Sequence, residues 1–326
     1  MNSDSYPVVT ALFSSRAEKR ATTRFDCRHK SHQYGLDTVF SQTAGSFTME
    51  FDSACEIIRR TRKIEGWFWP AAAHLFALLD EIQKSVGIEG NIFEIGAYHG
   101  KSAVLLCAML RGNAESLGVC DRFGCSSDRN VAGFRPQFDR TMRNHSSAGS
   151  CLRVLQKDSA DLTPEETTTN CRFFHIDGGH GGREVYDDLV VASKAVGPNG
   201  LVVLDDFHNS AWPGVAEGFF RFMHERPGEF VPLAVGFNKG VLTRPSAHGL
   251  YRRFLNDPAR CWAAIPRGPF SVKTIEFCGV DTVLFHTPSH RSPDLRRSIL
   301  SIVHQHRPRF ADALGRVLRY HRSRTA

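Results

Sequence analysis

The chain has 326 residues, 41% of them apolar, and a formal net charge of +7 at neutral pH. This length allows one α/β core of about 200 residues with further segments at its ends. Because no long apolar run and no secretory-signal pattern is present, we expect a soluble cytoplasmic protein without a transmembrane segment. The nine cysteines are scattered and odd in number, which favours reduced packing residues over a disulfide frame or a zinc site.

The first part of the chain predicts an arm followed by helix. Residues 1–50 are rich in serine, threonine and basic groups without clear periodicity, which predicts a mobile arm. Between Ile57 and Val86, apolar residues recur at helical spacing. This spacing predicts an amphipathic helical segment that covers the sheet before its first strand.

A glycine turn follows the first predicted strand. Asn91–Ile95 is a buried-strand run, Gly96 and Gly100 allow a tight turn and a close approach to a ligand, and Ser102–Leu110 continues as helix. In an α/β fold this is where a nucleotide-like cofactor binds. The spacing is G-x-x-x-G rather than G-x-G-x-x-G, which disfavours a nicotinamide dinucleotide.

Two further strands follow in the order that a doubly wound sheet requires. Ser116–Cys120 predicts a strand that ends at Asp121, 21 residues after Gly100. An acidic residue at this place can accept hydrogen bonds from both hydroxyls of a ribose. Cys151–Leu155 predicts the third strand, and the Asp-Ser pair soon after it is also typical of a helix cap.

Three aspartates follow the fourth and fifth predicted strands. Arg172–Ile176 ends at Asp177, and Leu201–Leu204 ends in the pair Asp205 and Asp206. Neighbouring parallel strands bring such residues to the same carboxyl edge of the sheet. Clustered anions repel one another unless a cation neutralises them, and oxygen ligands with open positions suit Mg²⁺. The alternative is a set of solvated carboxylates at strand ends.

The C-terminal part predicts two hairpins and a basic tail. Phe230–Val235 with Gly240–Thr243 predicts one hairpin, and Phe270–Phe277 with Val280–His286 predicts another. Residues 291–326 hold nine arginines and two aspartates, a charge equal to that of the whole chain. Their apolar spacing predicts two helices that pack on their own domain or on a second subunit, or that bind an acidic partner, a membrane surface or nucleic acid.

Several of these motifs resemble the class I methyltransferases that depend on S-adenosylmethionine (SAM). Glu94-Ile95-Gly96-Ala97-Tyr98 resembles motif I of the catechol-type, metal-dependent O-methyltransferases. Ile176-Asp177-Gly178-Gly179-His180, Leu204-Asp205-Asp206-Phe207 and Trp212-Pro213-Gly214-Val215 resemble the metal-dependent family that includes antibiotic-sugar O-methyltransferases. The resemblance implies a Rossmann-like α/β fold with a doubly wound, mostly parallel, seven-stranded sheet, completed by the first hairpin and covered by an N-terminal helical lid.

The resemblance also implies roles for individual residues. Those expected to bind SAM are Glu94, Gly96, Tyr98, Gly100, Ser102, Asp121, Asp158, Ser159 and Asp177. Those expected to bind Mg²⁺ are Asp177, Asp205 and Asp206. His180, three positions past the first metal ligand, takes the place of the catalytic base, and an imidazole can accept a proton near neutral pH. Tyr98 either faces the sulfonium or packs beneath the loop.

The chain is thereby divided into a mobile arm (1–50), a SAM-dependent methyltransferase domain (51–245), an accessory hairpin segment (246–290) and an arginine-rich helical tail (291–326). Two functions follow as hypotheses. The first is a Mg²⁺-dependent O-methyltransferase that acts on a hydroxyl of a sugar or polyol-like small molecule. The second is a SAM-fold binding protein that recruits nucleic acid or an acidic partner through its tail, with methyl transfer secondary or absent.

The first hypothesis is favoured because a protein that only binds has no need for three carboxylates and a histidine beside the cofactor edge. Nucleic acid is not expected as a partner, since no Asn/Asp-Pro-Pro-Tyr/Phe motif for base methylation occurs in the sequence. A homo-oligomer through the C-terminal helices is a further expectation.

Overall fold

The computed structural model describes residues 54–112, 114–124, 133–146, 151–266 and 269–287. The predicted arm and the predicted arginine-rich tail lie outside the described residues. The helices and the oligomer formation predicted for the tail stay predictions. Among the helices that are described, none is both long and apolar enough to cross a bilayer.

Helices and strands alternate through the first five strands and then give way to two hairpins with helices between them. In chain order the elements are α1 (residues 54–61), α2 (Pro70–Ser85), β1 (Asn91–Ile95), α3 (Lys101–Met109), β2 (Leu117–Asp121), α4 (Arg135–His145), β3 (Leu152–Gln156), a 3₁₀ turn (Ser159–Asp161), β4 (Cys171–Ile176), α5 (Gly182–Ala195), β5 (Val196–Asp205), α6 (Pro213–Glu225), β6 (Val231–Gly236), β7 (Lys239–Thr243), α7 (Pro245–Leu255), α8 (Pro258–Ala264), β8 (Ser271–Phe277) and β9 (Val280–His286).

Proline marks the start of several helices. Pro70, Pro213, Pro245 and Pro258 each lie in the first turn of a helix, where the missing N–H would have no partner within the helix in any case. The Asp257 side chain caps α8 by accepting hydrogen bonds from the next free amides. These local signals fix where the helices begin before any tertiary packing is considered.

The strands form one sheet in the order β3-β2-β1-β4-β5-β7-β6-β9-β8. Strands β3, β2, β1, β4 and β5 run parallel to one another. Strand β7 runs antiparallel to both β5 and β6, between which it lies. The doubly wound, mostly parallel α/β fold is thereby confirmed. Its strand order reverses between β1 and β4, and ligands bind at such a switch point.

The predicted count of seven strands is wrong, because the sheet has nine. The hairpin β8–β9 forms as the sequence predicts, and β9 then pairs in parallel with β6. Without this pairing, the edge of β6 would present a row of unsatisfied N–H and C=O groups. A smaller difference is that β5 begins at Val196, before the predicted strand run Leu201–Leu204, beside a register shift opposite β4.

The two faces of the sheet bury separate apolar clusters. Side chains alternate along β1, so Ile92 packs with α2, α3, α7 and α8 on one face. Phe93 packs with α5 and α6 on the other face. Helices therefore cover both faces, and the carboxyl edge of the parallel strands is left for ligands.

A buried arginine joins several elements at the opposite, amino-terminal edge. Arg172 is fully buried, and its guanidinium donates to both oxygens of Glu115, at 2.9 and 3.0 Å. It also donates to Asp80 at 2.7 Å, to Gln83 at 2.8 Å and to the Met109 carbonyl at 2.6 Å. Each of its five N–H groups thus has an acceptor, which is the condition for burying this charge without a large penalty.

Replacing Arg172 by methionine should lower the free energy of unfolding by about 3–5 kcal/mol, because Glu115 would stay buried without its cation. Urea denaturation measures this loss. The matched control is Arg59→Met, which removes an exposed arginine paired with Glu56 and should change stability little. Equal stability losses in the two variants would contradict the role given to the buried network.

Candidate active site

The glycine turn after β1 depends on one close backbone contact. Gly96 has a φ of 82°, and a Cβ added there would lie 1.9 Å from the Asp177 carbonyl oxygen. Next to it, the Asp177 amide donates to the Ile95 carbonyl at 2.7 Å. Only glycine lets the end of β1 come this close to the end of β4. Gly96 therefore places the turn directly beside Asp177, the first of the three aspartates.

Asp121, at the end of β2, organises the same turn. Its Oδ2 accepts hydrogen bonds from the amides of Ala97 at 2.6 Å and Tyr98 at 2.7 Å, and its Oδ1 accepts from Phe123 at 2.5 Å. Each carboxylate oxygen can accept more than one hydrogen bond, so these contacts leave capacity for a ligand. The predicted ribose contact of Asp121 stays a prediction.

Two cavities meet at this turn. The first, of about 510 Å³, is lined by the predicted residues Gly96, Tyr98, Asp121, Asp158, Ser159 and Asp177. The second, of about 590 Å³, is lined by the predicted residues Gly96, Tyr98, Ser102, Asp121, Asp177, His180, Asp205 and Asp206. The residues shared by both cavities form the wall between them. A molecule bound in the first cavity can therefore lie next to a molecule bound in the second cavity.

Two predicted cofactor residues do not line either cavity. The Glu94 side chain is fully buried, and its Oε1 lies 2.9 Å from His175 Nδ1 in the core beneath the cavities. Gly100 begins α3 with a φ of 85°, and a Cβ added there would lie 3.1 Å from Phe138. Both residues therefore lie behind the turn, and their predicted contacts with the cofactor stay predictions.

A chain of buried charges runs from Glu94 through His175 to Asp205 and Lys239. His175 Nε2 lies 3.6 Å from Asp205 Oδ2, and Lys239 Nζ donates to Asp205 Oδ1. Burial alone would raise the pKa of Asp205, but Lys239 and His175 hold that pKa below its usual range. Burial likewise works against a charged His175, yet the nearby carboxylates of Asp205 and Glu94 raise its pKa to about 9. Cations of the protein itself thus neutralise Asp205.

A second group consists of Asp177, His180 and Asp206. His180 Nε2 lies 3.2 Å from Asp206 Oδ2, and Asp206 Oδ1 accepts hydrogen bonds from Asn209 at 2.9 Å and Asn238 at 2.5 Å. Burial would raise the pKa of Asp206, but His180 and the two amides lower it. In contrast, burial and the nearby Asp205 raise the pKa of Asp177 well above its usual value.

These contacts bear on the predicted metal ligands Asp177, Asp205 and Asp206, which stay a prediction. Ligand atoms of Asp177, His180 and Asp206 lie within 4.8 Å of one another, and so do those of His175, Asp177 and Asp205. The oxygens of Asp205 face Lys239 and His175. Asp177 forms no ion pair within the described chain, so the group with His180 and Asp206 fits a divalent cation with oxygen-rich ligands.

Tryptophans surround the second cavity. Trp67, Trp69 and Trp212 line it and are 81%, 52% and 45% exposed. The Trp212 ring stacks on His180 with centroids 4.4 Å apart, and Trp67 lies 5.7 Å from Tyr98. Large apolar rings held in water beside a polar site offer a stacking surface for a ligand.

Three further residues at or next to the cavities were not predicted from the sequence. Lys239 begins β7 and Asn238 directly precedes it, and the only signal for them was the hairpin turn in which they lie. Asp188 lies on α5, is 1% exposed and lines the first cavity. Burial raises its pKa to about 7. A single acidic residue on the apolar face of a predicted helix was the available signal for Asp188.

Residues 93–207 match a family described as a methyltransferase domain. Among solved structures, the chain is similar to the O-methyltransferase NovP, at 17% identity over 53% of this chain and 80% of that one, with a TM-score of 0.45. It is similar to CalS11, described as a TDP-rhamnose 3′-O-methyltransferase, at 13% identity over 61% and 94% of the two chains, with a TM-score of 0.42. The Podospora anserina methyltransferase PaMTH1 is 13% identical over 66% and 99%, also with a TM-score of 0.42. No curated protein compared with the chain matches it.

Asp188 should make stability depend on pH. Because the pKa of Asp188 is raised in the folded state, its contribution to stability is complete below the unfolded pKa and is lost as the pH rises through about 7. Relative to Asp188→Asn, the wild type should lose about 2–3 kcal/mol of stability between pH 5 and pH 8. Urea denaturation at both pH values measures this. Asp187→Asn, one residue away and partly exposed, is the control and should show no such trend.

Proposed function

From the premise that residues 93–207 form a class I, SAM-dependent methyltransferase domain, we propose that the chain transfers a methyl group to a hydroxyl oxygen of a sugar or polyol-like small molecule. The proposal rests on the convergence of Asp177, His180 and Asp206 at the wall of the second cavity, beside the glycine turn. The alternative, recruitment of nucleic acid or an acidic partner through the basic tail, depends on residues outside the described part of the chain.

SAM would occupy the first cavity. Asp121 at the end of β2 would accept the ribose hydroxyls, and Asp158 and Ser159 would lie beside the adenine. Tyr98 belongs to the wall between the cavities, where its ring can face the sulfonium. The acceptor would then enter the second cavity, beneath the segment that contains Trp67 and Trp69.

Asp177 and Asp206 would hold a Mg²⁺ ion, with Asp205 adding negative charge behind them. When bound, the ion would favour the ionised form of an acceptor hydroxyl. The raised pKa of Asp177 supports this assignment, since its carboxylate has the most to gain from a nearby cation.

The seven cysteines of the described part of the chain are free thiols, which supports a reducing, cytoplasmic setting.

His180 would take the proton of the acceptor hydroxyl. Asp206 faces Nε2 and Trp212 stacks on the ring, so the imidazole is held in one orientation. With Nε2 lying beside Asp206, Nδ1 would be the ring nitrogen that accepts the proton. SAM would supply the methyl group from the first cavity, and the residues at the wall between the cavities would orient the acceptor oxygen toward it.

Asp206→Asn should weaken metal binding roughly tenfold or more while leaving cofactor affinity nearly unchanged, because the ion loses a charged ligand and the first cavity is intact. Calorimetric titration with Mn²⁺ measures the metal. Titration with S-adenosylhomocysteine in Mg²⁺ and again in EDTA, with NAD for comparison, measures the cofactor. Asp281→Asn, at an exposed carboxylate on β9, should alter neither. Unchanged Mn²⁺ affinity in Asp206→Asn would remove the metal site from the mechanism.

His180→Gln should lower kcat by about 10²- to 10⁴-fold, because the amide keeps a polar group beside Asp206 but does not accept a proton. The affinity for S-adenosylhomocysteine should stay close to that of the wild type. Methyl transfer from labelled SAM to a panel of sugar hydroxyls, measured across pH, checks both points. A variant with the wild-type pH-rate profile would mean that another group takes the proton.

A further inference from the structure

A third cavity, of about 550 Å³, lies beside the second one, and we refer to it as the basic cavity. Arg60 and Lys63 line it from the end of α1 and the segment that follows, and Arg140 and His145 line it from α4. Three permanent cations and two histidines thus line a single concave space, with Glu65 as the one carboxylate among its lining residues in the described chain.

Within the described chain, the positive charge of the basic cavity is only partly balanced, through an electrostatic interaction of Arg60 with Glu56 beyond ion-pair distance. There, no carboxylate lies within ion-pair distance of Arg60, Lys63 or Arg140, whereas the adjacent Arg59 pairs with Glu56 at 2.7 Å. Glu65 itself is already engaged elsewhere. Its Oε1 accepts a hydrogen bond from the Tyr98 hydroxyl at 3.0 Å, and its Oε2 lies 3.6 Å from His99 Nδ1.

The shape and polar lining of the basic cavity suit an oxyanion. Ile64, His99 and Thr141 are buried and close its floor, and the amides of Gln137 and Asn144 add further donors to the wall. The first and second cavities, by contrast, each carry several carboxylates. A phosphate group would therefore be repelled from those two cavities and attracted to this one.

The basic cavity and the second cavity are separated by a thin wall. Glu65 lines both of them, Tyr98 lines the second and His99 lines the basic one. The rings of Tyr98 and His99 stack with centroids 3.8 Å apart, so the wall between the cavities is about two side chains thick. A molecule with two ends can occupy both cavities at once.

We propose that the basic cavity binds the phosphate of the acceptor, so that the acceptor is a phosphorylated sugar, either a sugar phosphate or a sugar joined to a nucleoside diphosphate. The phosphate would be held by Arg60, Lys63 and Arg140 while the sugar presents a hydroxyl to His180. The part of this inference that concerns the sugar rests on the proposed function, whereas the anion site does not.

Calorimetric titration with pyrophosphate tests the anion site, in EDTA to exclude the metal and with saturating S-adenosylhomocysteine to fill the first cavity. The double variant Lys63→Gln, Arg140→Gln should bind pyrophosphate at least tenfold more weakly than the wild type. The control is Arg62→Gln, Arg143→Gln, which removes the same charge from neighbouring exposed positions that do not line the cavity. Equal weakening in the two double variants, or no binding to the wild type, would overturn the site.

Methyl transfer to three acceptors distinguishes the sources of the phosphate: a sugar 1-phosphate, a nucleoside diphosphate sugar and an unphosphorylated methyl glycoside. We expect a phosphorylated acceptor to have the lowest KM, and the Lys63, Arg140 double variant to raise that KM at least tenfold with kcat little changed. Equal KM values for all three acceptors would overturn the assignment of the acceptor and leave methyl transfer standing. Failure of S-adenosylhomocysteine to bind would sink the proposed function, and the pyrophosphate result would still decide the anion site.

Discussion

Compensation of buried negative charge is the constraint on which the rest of this structure depends. Glu94, Asp177 and Asp205 lie at the carboxyl edge of β1, β4 and β5, where apolar clusters on both faces of the sheet exclude water. Lys239 and His175 supply positive charge for two of these acids. The third, Asp177, lies at the cavity wall without an ion-pair partner in the described chain, and burial raises its pKa. This imbalance is what makes the edge a place for chemistry.

The same rule shapes the opposite edge of the sheet with a different result. There, Arg172 finds an acceptor for each of its five N–H groups within the protein, so no ligand is called for. Both groups of charges involve β4, one through its second residue and the other through His175. Complete pairing of the buried charges stabilises the amino-terminal edge of the sheet. Incomplete pairing leaves the carboxyl-terminal edge able to bind a ligand.

Much of the fold could be predicted from the sequence, because each strand and helix carries its own periodicity and the parallel order dictates which strand ends meet. In this way the sequence predicts that Asp177, His180 and Asp206 lie at one edge, and the structure brings them together. Glu94 packs in the core beside His175, and only the pairing of β1 with β4 determines that position. Lys239 was missed because its partner lies 34 residues earlier in the chain. The two extra strands depend on pairing between β6 and β9, which no local pattern encodes.

The exposed tryptophans give the second cavity an optical property of its own. Three of the four tryptophans in the chain line that cavity, and the fourth, Trp262, donates its indole N–H to the Phe270 carbonyl elsewhere in the fold. Most of the intrinsic indole emission of the protein therefore originates at one place. Trp212 lies in stacking contact with an imidazole, and protonated imidazoles quench indole fluorescence. The ultraviolet emission spectrum of the unlabelled protein thus reports on the occupancy and protonation of this single cavity.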